Sequence, residues 1–159
     1  MVLLVDDDEI NRLVVKGLLK GVYRMLAAES GEEAFAIMER QKPDLILLDV
    51  YMPKMDGHEV LKRLKEKERF SDIPVVFLTG DEDEQTEVQG FSEGATDFIR
   101  KPMRKAVAVQ RMNRILELSY LQKNLKQEVE KGSGSQFDPK IAEVMMTLIK
   151  EDKKYLLHE

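Results

Sequence analysis

The chain has 159 residues, which suits one domain with an appendage, and 43% of them are hydrophobic, enough for a real core. Its 30 acidic and 25 basic residues leave a net charge of −5, which argues against a nucleic-acid binder with a basic face. With no cysteine and only two histidines, His58 and His158, it excludes disulfides, thiol catalysis, zinc–thiolate sites and a histidine-rich metal centre. Apolar runs such as Leu45–Leu48 fall far short of the ~20 residues a membrane helix needs. No segment reads as a signal peptide, so a cytoplasmic protein is expected, with neither membrane nor nucleic acid as partner.

Short apolar runs alternate with helical patterns as far as residue 118. Met1–Val5 is continuously apolar, as a strand buried on both faces should be. Ile10, Leu13, Val14, Gly17 and Leu18 are spaced as the apolar face of a helix. Asp8 precedes them as a helix-start residue, favourable at the positive end of the helix. Tyr23–Ala28 predicts a second strand. Ser30 stands three residues before Glu33, the sequence form of a capping box, and opens a helix with Ala34, Phe35 and Met38 inward.

Leu45–Leu48 predicts a third strand ending in Asp49, followed by a loop with Pro53 and Gly57. Val60, Leu61 and Leu64 mark a third helix. Within it "LKRLKEKER" reads as a solvated face with opposite charges four apart, and His58 reads as solvated. Val75–Leu78 predicts a fourth strand ending in Thr79, and Glu84–Glu93 an acidic helix. Phe98 and Ile99 form a short fifth strand that ends in Lys101–Pro102, and a long helix starts near Arg104.

Five strand–helix units imply a parallel sheet with helices on both faces. Ligands of such sheets bind beyond the carboxyl ends of the strands. There this sequence places Asp6 and Asp7, then Asp49, Thr79 and Lys101, one polar position per strand end. Two like charges at ~4 Å repel by about 4 kcal/mol at an effective dielectric of ~20, so converging carboxylates call for a proton or a cation. An all-oxygen set selects magnesium, calcium or manganese, and magnesium suits carboxylates with waters and a phosphate oxygen best. Asp49, on the central strand, is placed to attack phosphorus and form an acyl phosphate. Lys101 supplies positive charge to the phosphoryl oxygens, and Thr79 a hydroxyl.

"LLVDDDEINR", "PDLILLDVYMPKMDG", "VVFLTGDED" and "GATDFIRKP" resemble, in order, the signature segments of bacterial response-regulator receiver domains. The resemblance implies a flavodoxin-like doubly wound sheet of five parallel strands in the order 2-1-3-4-5, with a helical C-terminal extension. It implies that Asp6 and Asp7 are the acidic pair, Asp7 the closer magnesium ligand, and that Asp49 is the phosphoacceptor. Manganese would be a substitute metal. The backbone carbonyl of Tyr51 matches a third metal ligand, Thr79 the switch hydroxyl, and Lys101 the phosphate-contacting lysine. Pro102 matches the family's commonly cis proline, and Phe98 the aromatic that turns inward on activation, although it can equally be read as ordinary core. Gly80 and Met103 depart from the residues usual at their positions. Tyr51 and Asp81 would flank the path of the hydrolytic water, so a long-lived phospho-form is expected. The phosphoryl donor would be a sensor histidine kinase or a phosphotransfer protein. A haloacid-dehalogenase-type phosphatase would need an acid where Tyr51 stands.

The receiver is expected over residues 1–118 and a helical extension over 119–159. Ile115, Leu118, Leu121, Leu125 and Val129 form a narrow apolar seam that continues the last receiver helix. A Gly/Ser break follows at 132–135, then a terminal helix over 139–157 with Asp138 as cap and Pro139 at its start. These helices would form a homodimer, dock a partner, or pack back on their own domain. "GSGSQFDPKIAEVMMTLIKEDKKY" is similar to the closing segment of HD-GYP-type phosphodiesterase domains. The paired His-Asp and Gly-Tyr-Pro motifs of those domains are absent, so no phosphodiesterase activity is expected. The chain is therefore read as a phosphoacceptor switch and not an enzyme with a separate output. The rival reading is a constitutive dimeric scaffold with a vestigial receiver pocket.

Overall fold

The computed structural model describes residues 1–80, 84–132 and, between 140 and 147, all but 142 and 145. Five strands, β1 (Val2–Val5), β2 (Met25–Ala28), β3 (Leu45–Asp49), β4 (Val75–Thr79) and β5 (Asp97–Arg100), alternate with five helices. The helices are α1 (Glu9–Leu19), α2 (Gly31–Arg40), α3 (Gly57–Glu66), α4 (Glu84–Glu93) and α5 (Lys105–Gly132). All strand pairs are parallel and the order is β2-β1-β3-β4-β5, the flavodoxin-like arrangement. Every residue of β1, β3 and β4 is buried, which explains their unbroken apolar runs. The register pairs Val5 with Leu48, Asp49 with Leu78 and Thr79 with Arg100, so the strands end almost level.

Local signals in the sequence place the helix starts. The Asp8 carboxylate accepts from the backbone N–H groups of Ile10 and Asn11 at 2.7 and 3.1 Å. Ser30 Oγ accepts from the N–H of Glu33, and the Glu33 carboxylate reaches back to the N–H of Glu29, one residue earlier than a strict capping box. Asp56 caps α3 through the N–H of Glu59. Behind it the chain turns so tightly that a side chain at Gly57 would begin 2.5 Å from the carbonyl oxygen of Asp49. This glycine lets α3 start directly beneath the end of β3.

One core cluster joins Leu3, Val5, Ile46, Leu48 and Phe77 of the sheet to Ala34 and Met38 of α2 and Val60, Leu61 and Leu64 of α3. Val15 and Leu19 of α1 and Ala108 and Met112 of α5 are buried outside that cluster. The Tyr23 hydroxyl ties the approach to β2 to α5, donating to Asn113 Oδ1 at 2.5 Å.

The apolar stripe of α1 requires a correction. Ile10, Leu13 and Val14 are 71%, 64% and 53% exposed, Gly17 is also exposed, and Leu18 is only half-buried. The helix instead turns Val15 and Leu19, four residues apart and so on one face, to the core. The sequence therefore marks a surface stripe and not the packing face.

The chain divides into two compact units, Met1–Asn113 and Arg114–Glu159, with the boundary inside α5. In the second unit Ile115 and Val129 are buried, whereas Leu121 and Leu125 are 54% and 48% exposed. Residues 140, 141, 143, 144, 146 and 147 are helical. Most of the expected terminal helix, its cap Asp138 with Pro139, the Gly/Ser break beyond Gly132 and Asp81 lie outside the described residues. Among the described residues, no helix is long and apolar enough to cross a membrane.

Candidate phosphoacceptor pocket

Strand ends set the pocket. Beyond β1 the chain places Asp6, fully buried, and Asp7, exposed. Asp49 closes β3 and is 6% exposed. Ligand oxygens of these three carboxylates lie within 4.8 Å of one another. From the end of β5, the Lys101 ammonium donates to Asp49 Oδ1 at 3.0 Å and to Asp6 Oδ2 at 3.2 Å. The peptide bond between Lys101 and Pro102 is cis.

Burial pushes the Asp49 carboxyl above its ordinary 3.8; the hydrogen bond and charge of Lys101 oppose this, while the charges of Asp6 and Asp7 add to it. Burial alone would lower the Lys101 ammonium, but its bond to Asp49 and the charges of Asp49 and Asp6 hold it above 10.5. One cation against three carboxylates leaves the pocket short of positive charge. A divalent ion with a preference for hard oxygen fits that donor set, and the spacing of the oxygens allows them to share it. Asp6, Asp7 and Asp49 are the residues that would hold magnesium.

Thr79 ends β4, next to β3 in the sheet. Its Oγ1 is buried and has no hydrogen-bond partner among the described residues. A buried hydroxyl without a partner is costly, and a phosphoryl oxygen beyond the strand ends would satisfy it. Phe98 is not in the pocket. It is buried three residues before Lys101, with ring centroids 5.5 Å from Phe77 and 4.6 Å from Phe91. Gly90 of α4 lies so close that an added Cβ would meet the rings of Phe98 and Phe77 at 2.7 and 2.8 Å.

Tyr51, two residues beyond β3, is 63% exposed, and its hydroxyl lies 3.4 Å from Thr86 Oγ1 on α4. His58 is not solvated as its sequence context suggests. Its side chain is 16% exposed, its Nδ1 lies 2.5 Å from Glu93 Oε2, and its ring sits 5.2 Å from that of Phe77. The reason is position. His58 is the second residue of α3, on the side that faces α4, so its partner comes from 35 residues away. Sequence reasoning also passed over Arg12, Thr86 and Glu93. Arg12 had a readable signal, since it stands one turn into the helix that begins at the acidic loop.

A groove of about 570 Å³ runs beside this side of the domain, lined by Glu87, Phe91, Phe98, Arg100, Lys101 and Arg111 among others. Ion pairs Arg100–Glu87 and Arg111–Asp97 cross it.

A buried sheet-end carboxylate paired with a lysine lies beside two further acids and a buried hydroxyl that is unpartnered among the described residues. Residues 2–113 match the family model for the response regulator receiver domain, and the chain belongs to that family. It is 38% identical over 116 residues to the phosphate regulon transcriptional regulatory protein PhoB of Pseudomonas aeruginosa, a match covering 72% of this chain and 51% of PhoB. It is 36% identical over 132 residues to the response regulator PleD of Caulobacter vibrioides, covering 82% of this chain and 29% of PleD. The chain thus spans about half the length, or less, of these relatives. Among solved structures, the receiver domain of NtrX from Brucella abortus superimposes with a TM-score of 0.69 at 29% identity, covering 74% of this chain and 98% of that one.

Proposed function

We propose that this chain is a phosphorylation-dependent switch of a two-component system, with Asp49 as the phosphoacceptor. The observation that carries the reading is the convergence of Asp6, Asp7 and Asp49 within 4.8 Å, with Lys101 bonded to two of them. An Asp49 carboxylate oxygen forms a bond to phosphorus as the phosphorus–nitrogen bond of a phosphohistidine, or the phosphorus–oxygen bond of acetyl phosphate, breaks. The leaving group takes the bonding electrons, and the product is an acyl phosphate. Asp6, Asp7, Asp49 and the backbone carbonyl of Tyr51 would hold magnesium, or manganese in its place, which would neutralise charge on the transferring phosphoryl group. Lys101 stays on the phosphoryl oxygens, and Thr79 donates its free hydroxyl to one of them.

Thr79 and Phe98 form the switch: capture of Thr79 by the phosphoryl group favours the packing in which Phe98 sits against Phe77 and Phe91. The donor is a cytoplasmic histidine kinase or phosphotransfer protein. The exposed stripe of Ile10, Leu13 and Val14 beside the acidic loop supports docking of a helical donor there. Output runs through residues 119–159. The exposed Leu121 and Leu125 support pairing with a second copy, since an apolar row on a helix is stable when buried against a partner.

The test is incubation with acetyl phosphate and magnesium, followed by intact-mass measurement and size-exclusion chromatography. The expected result is a gain of one phosphoryl group that EDTA prevents, with a change in oligomer size. Unchanged mass, with a dimer present throughout, would identify a constitutive scaffold instead.

A further inference from the structure

Asp6 and Asp7 open the three-residue link between β1 and α1, and each carboxylate is useful to a metal only if its peptide planes are fixed. Asp6 is locked by burial and by the N–H of Asp8, which donates to Asp6 Oδ1 at 2.9 Å. Asp7 is exposed, so packing does not hold it. Arg12, from the second turn of α1, does reach this link. Its Nη1 donates to the carbonyl oxygen of Asp6 at 2.8 Å and to that of Asp7 at 2.9 Å. The guanidinium is itself held. Its side chain is only 17% exposed, its Nη2 lies 4.0 Å from the Glu29 carboxylate, and its backbone N–H donates to Asp8 O at 3.0 Å.

We propose that Arg12 is a positioning residue for the metal pocket, whose guanidinium pins the carbonyls of Asp6 and Asp7 and so sets the two carboxylates toward Asp49. The inference rests on the magnesium-binding reading of that pocket. Fixing both carbonyls fixes the peptide planes on either side of Asp7. Without the guanidinium those carbonyls turn to water, and an exposed Asp7 must be ordered by the metal itself. Partners that orient metal ligands from behind typically contribute 10–100-fold in affinity.

Charge and position predict opposite outcomes. As a cation near the pocket, Arg12 repels magnesium, and its removal would tighten binding. As a brace it favours magnesium, and its removal weakens binding. Arg12→Lys keeps the charge and loses the two-carbonyl span, whereas Arg12→Met loses both.

The experiment is a magnesium chloride titration of the metal-free protein by isothermal titration calorimetry, with urea unfolding in EDTA as the control for folding. Wild type, Arg12→Lys, Arg12→Met and Asp7→Asn are compared. We expect both Arg12 variants to bind magnesium about tenfold more weakly than wild type. Each should still reach wild-type extents of acetyl phosphate labelling when magnesium is saturating. Wild-type affinity in Arg12→Lys, or tighter binding in Arg12→Met, overturns the bracing role. If Arg12→Met does not unfold cooperatively, the Arg12→Lys titration decides alone. If Asp7→Asn binds magnesium like wild type, the pocket reading itself fails. A weakened Asp7→Asn beside unaffected Arg12 variants leaves that reading standing and removes only the brace.

Discussion

The two sides of the pocket are held in different ways. On the side of β1 and β3 the ties are short and multiple. Lys101 bonds both Asp6 and Asp49, the Asp6 carboxylate caps the N–H of Asp8, and Arg12 spans the loop from behind. On the side of β4 and α4 side-chain contacts between elements stand out: Tyr51 to Thr86, His58 to Glu93, and the tilted and edge-on rings of Phe77, Phe98 and Phe91. Among the described residues the Thr79 hydroxyl has no partner, and Val88 of α4 is 71% exposed. Phosphoryl transfer gains from groups that are already in place, whereas a response needs an element whose ties can be exchanged. On the proposed function, the first side would serve the chemistry and the second the change.

The largest expected effect falls where the two sides meet. Phe77 is fully buried on β4 and touches the rings of both His58 and Phe98. Phe77→Ala should cost about 3–5 kcal/mol in urea unfolding through the cavity it leaves. A loss below about 1 kcal/mol would mean that α4 is not anchored through this ring. Thr79→Val sharpens the contrast. It removes a buried hydroxyl that has no partner among the described residues, so the unphosphorylated protein should gain about 1 kcal/mol while losing any response of oligomer size to phosphorylation. Destabilisation of similar size would show that the hydroxyl is satisfied after all.

The acid side can be probed through pH. Burial raises the Asp49 carboxyl above its ordinary 3.8, against the pull of Lys101. The folded state therefore keeps this proton to higher pH than the unfolded chain does. In EDTA, Asp49 lowers stability as pH rises from 3.8 through its raised value. Asp49→Asn should then be the more stable protein at neutral pH, and the gap should close in acid. If Asp49→Asn is the less stable at neutral pH, Lys101 outweighs burial. The smallest expected effect concerns α1. Leu13→Ser on the exposed stripe should change stability by about 0.5 kcal/mol or less, whereas Leu19→Ala should cost about 2–5 kcal/mol. Equal losses would mean that the stripe packs inward.

How far the sequence could be read follows the same division. The strands were legible because burial on both faces leaves unbroken runs such as "LILL", and the strand ends because their polar residues interrupt those runs. Asp8 and Ser30 announced their helices through contacts two or three residues away. The face of α1 was not legible, since Ile10, Leu13 and Val14 give the same period whether they meet a core or solvent. Nor was the His58–Glu93 pair. It links α3 to α4 across 35 residues and depends on how two helices lie side by side, which no local pattern encodes.

The central claim is that Asp49 takes the phosphoryl group. The most direct measurement is to label the protein with acetyl phosphate and magnesium, reduce the acyl phosphate with borohydride, and map the modified residue by peptide mass spectrometry. Conversion of Asp49 to homoserine, lost in Asp49→Asn and in metal-free buffer, is the predicted result. Modification at another carboxylate, or labelling that survives Asp49→Asn, would contradict it.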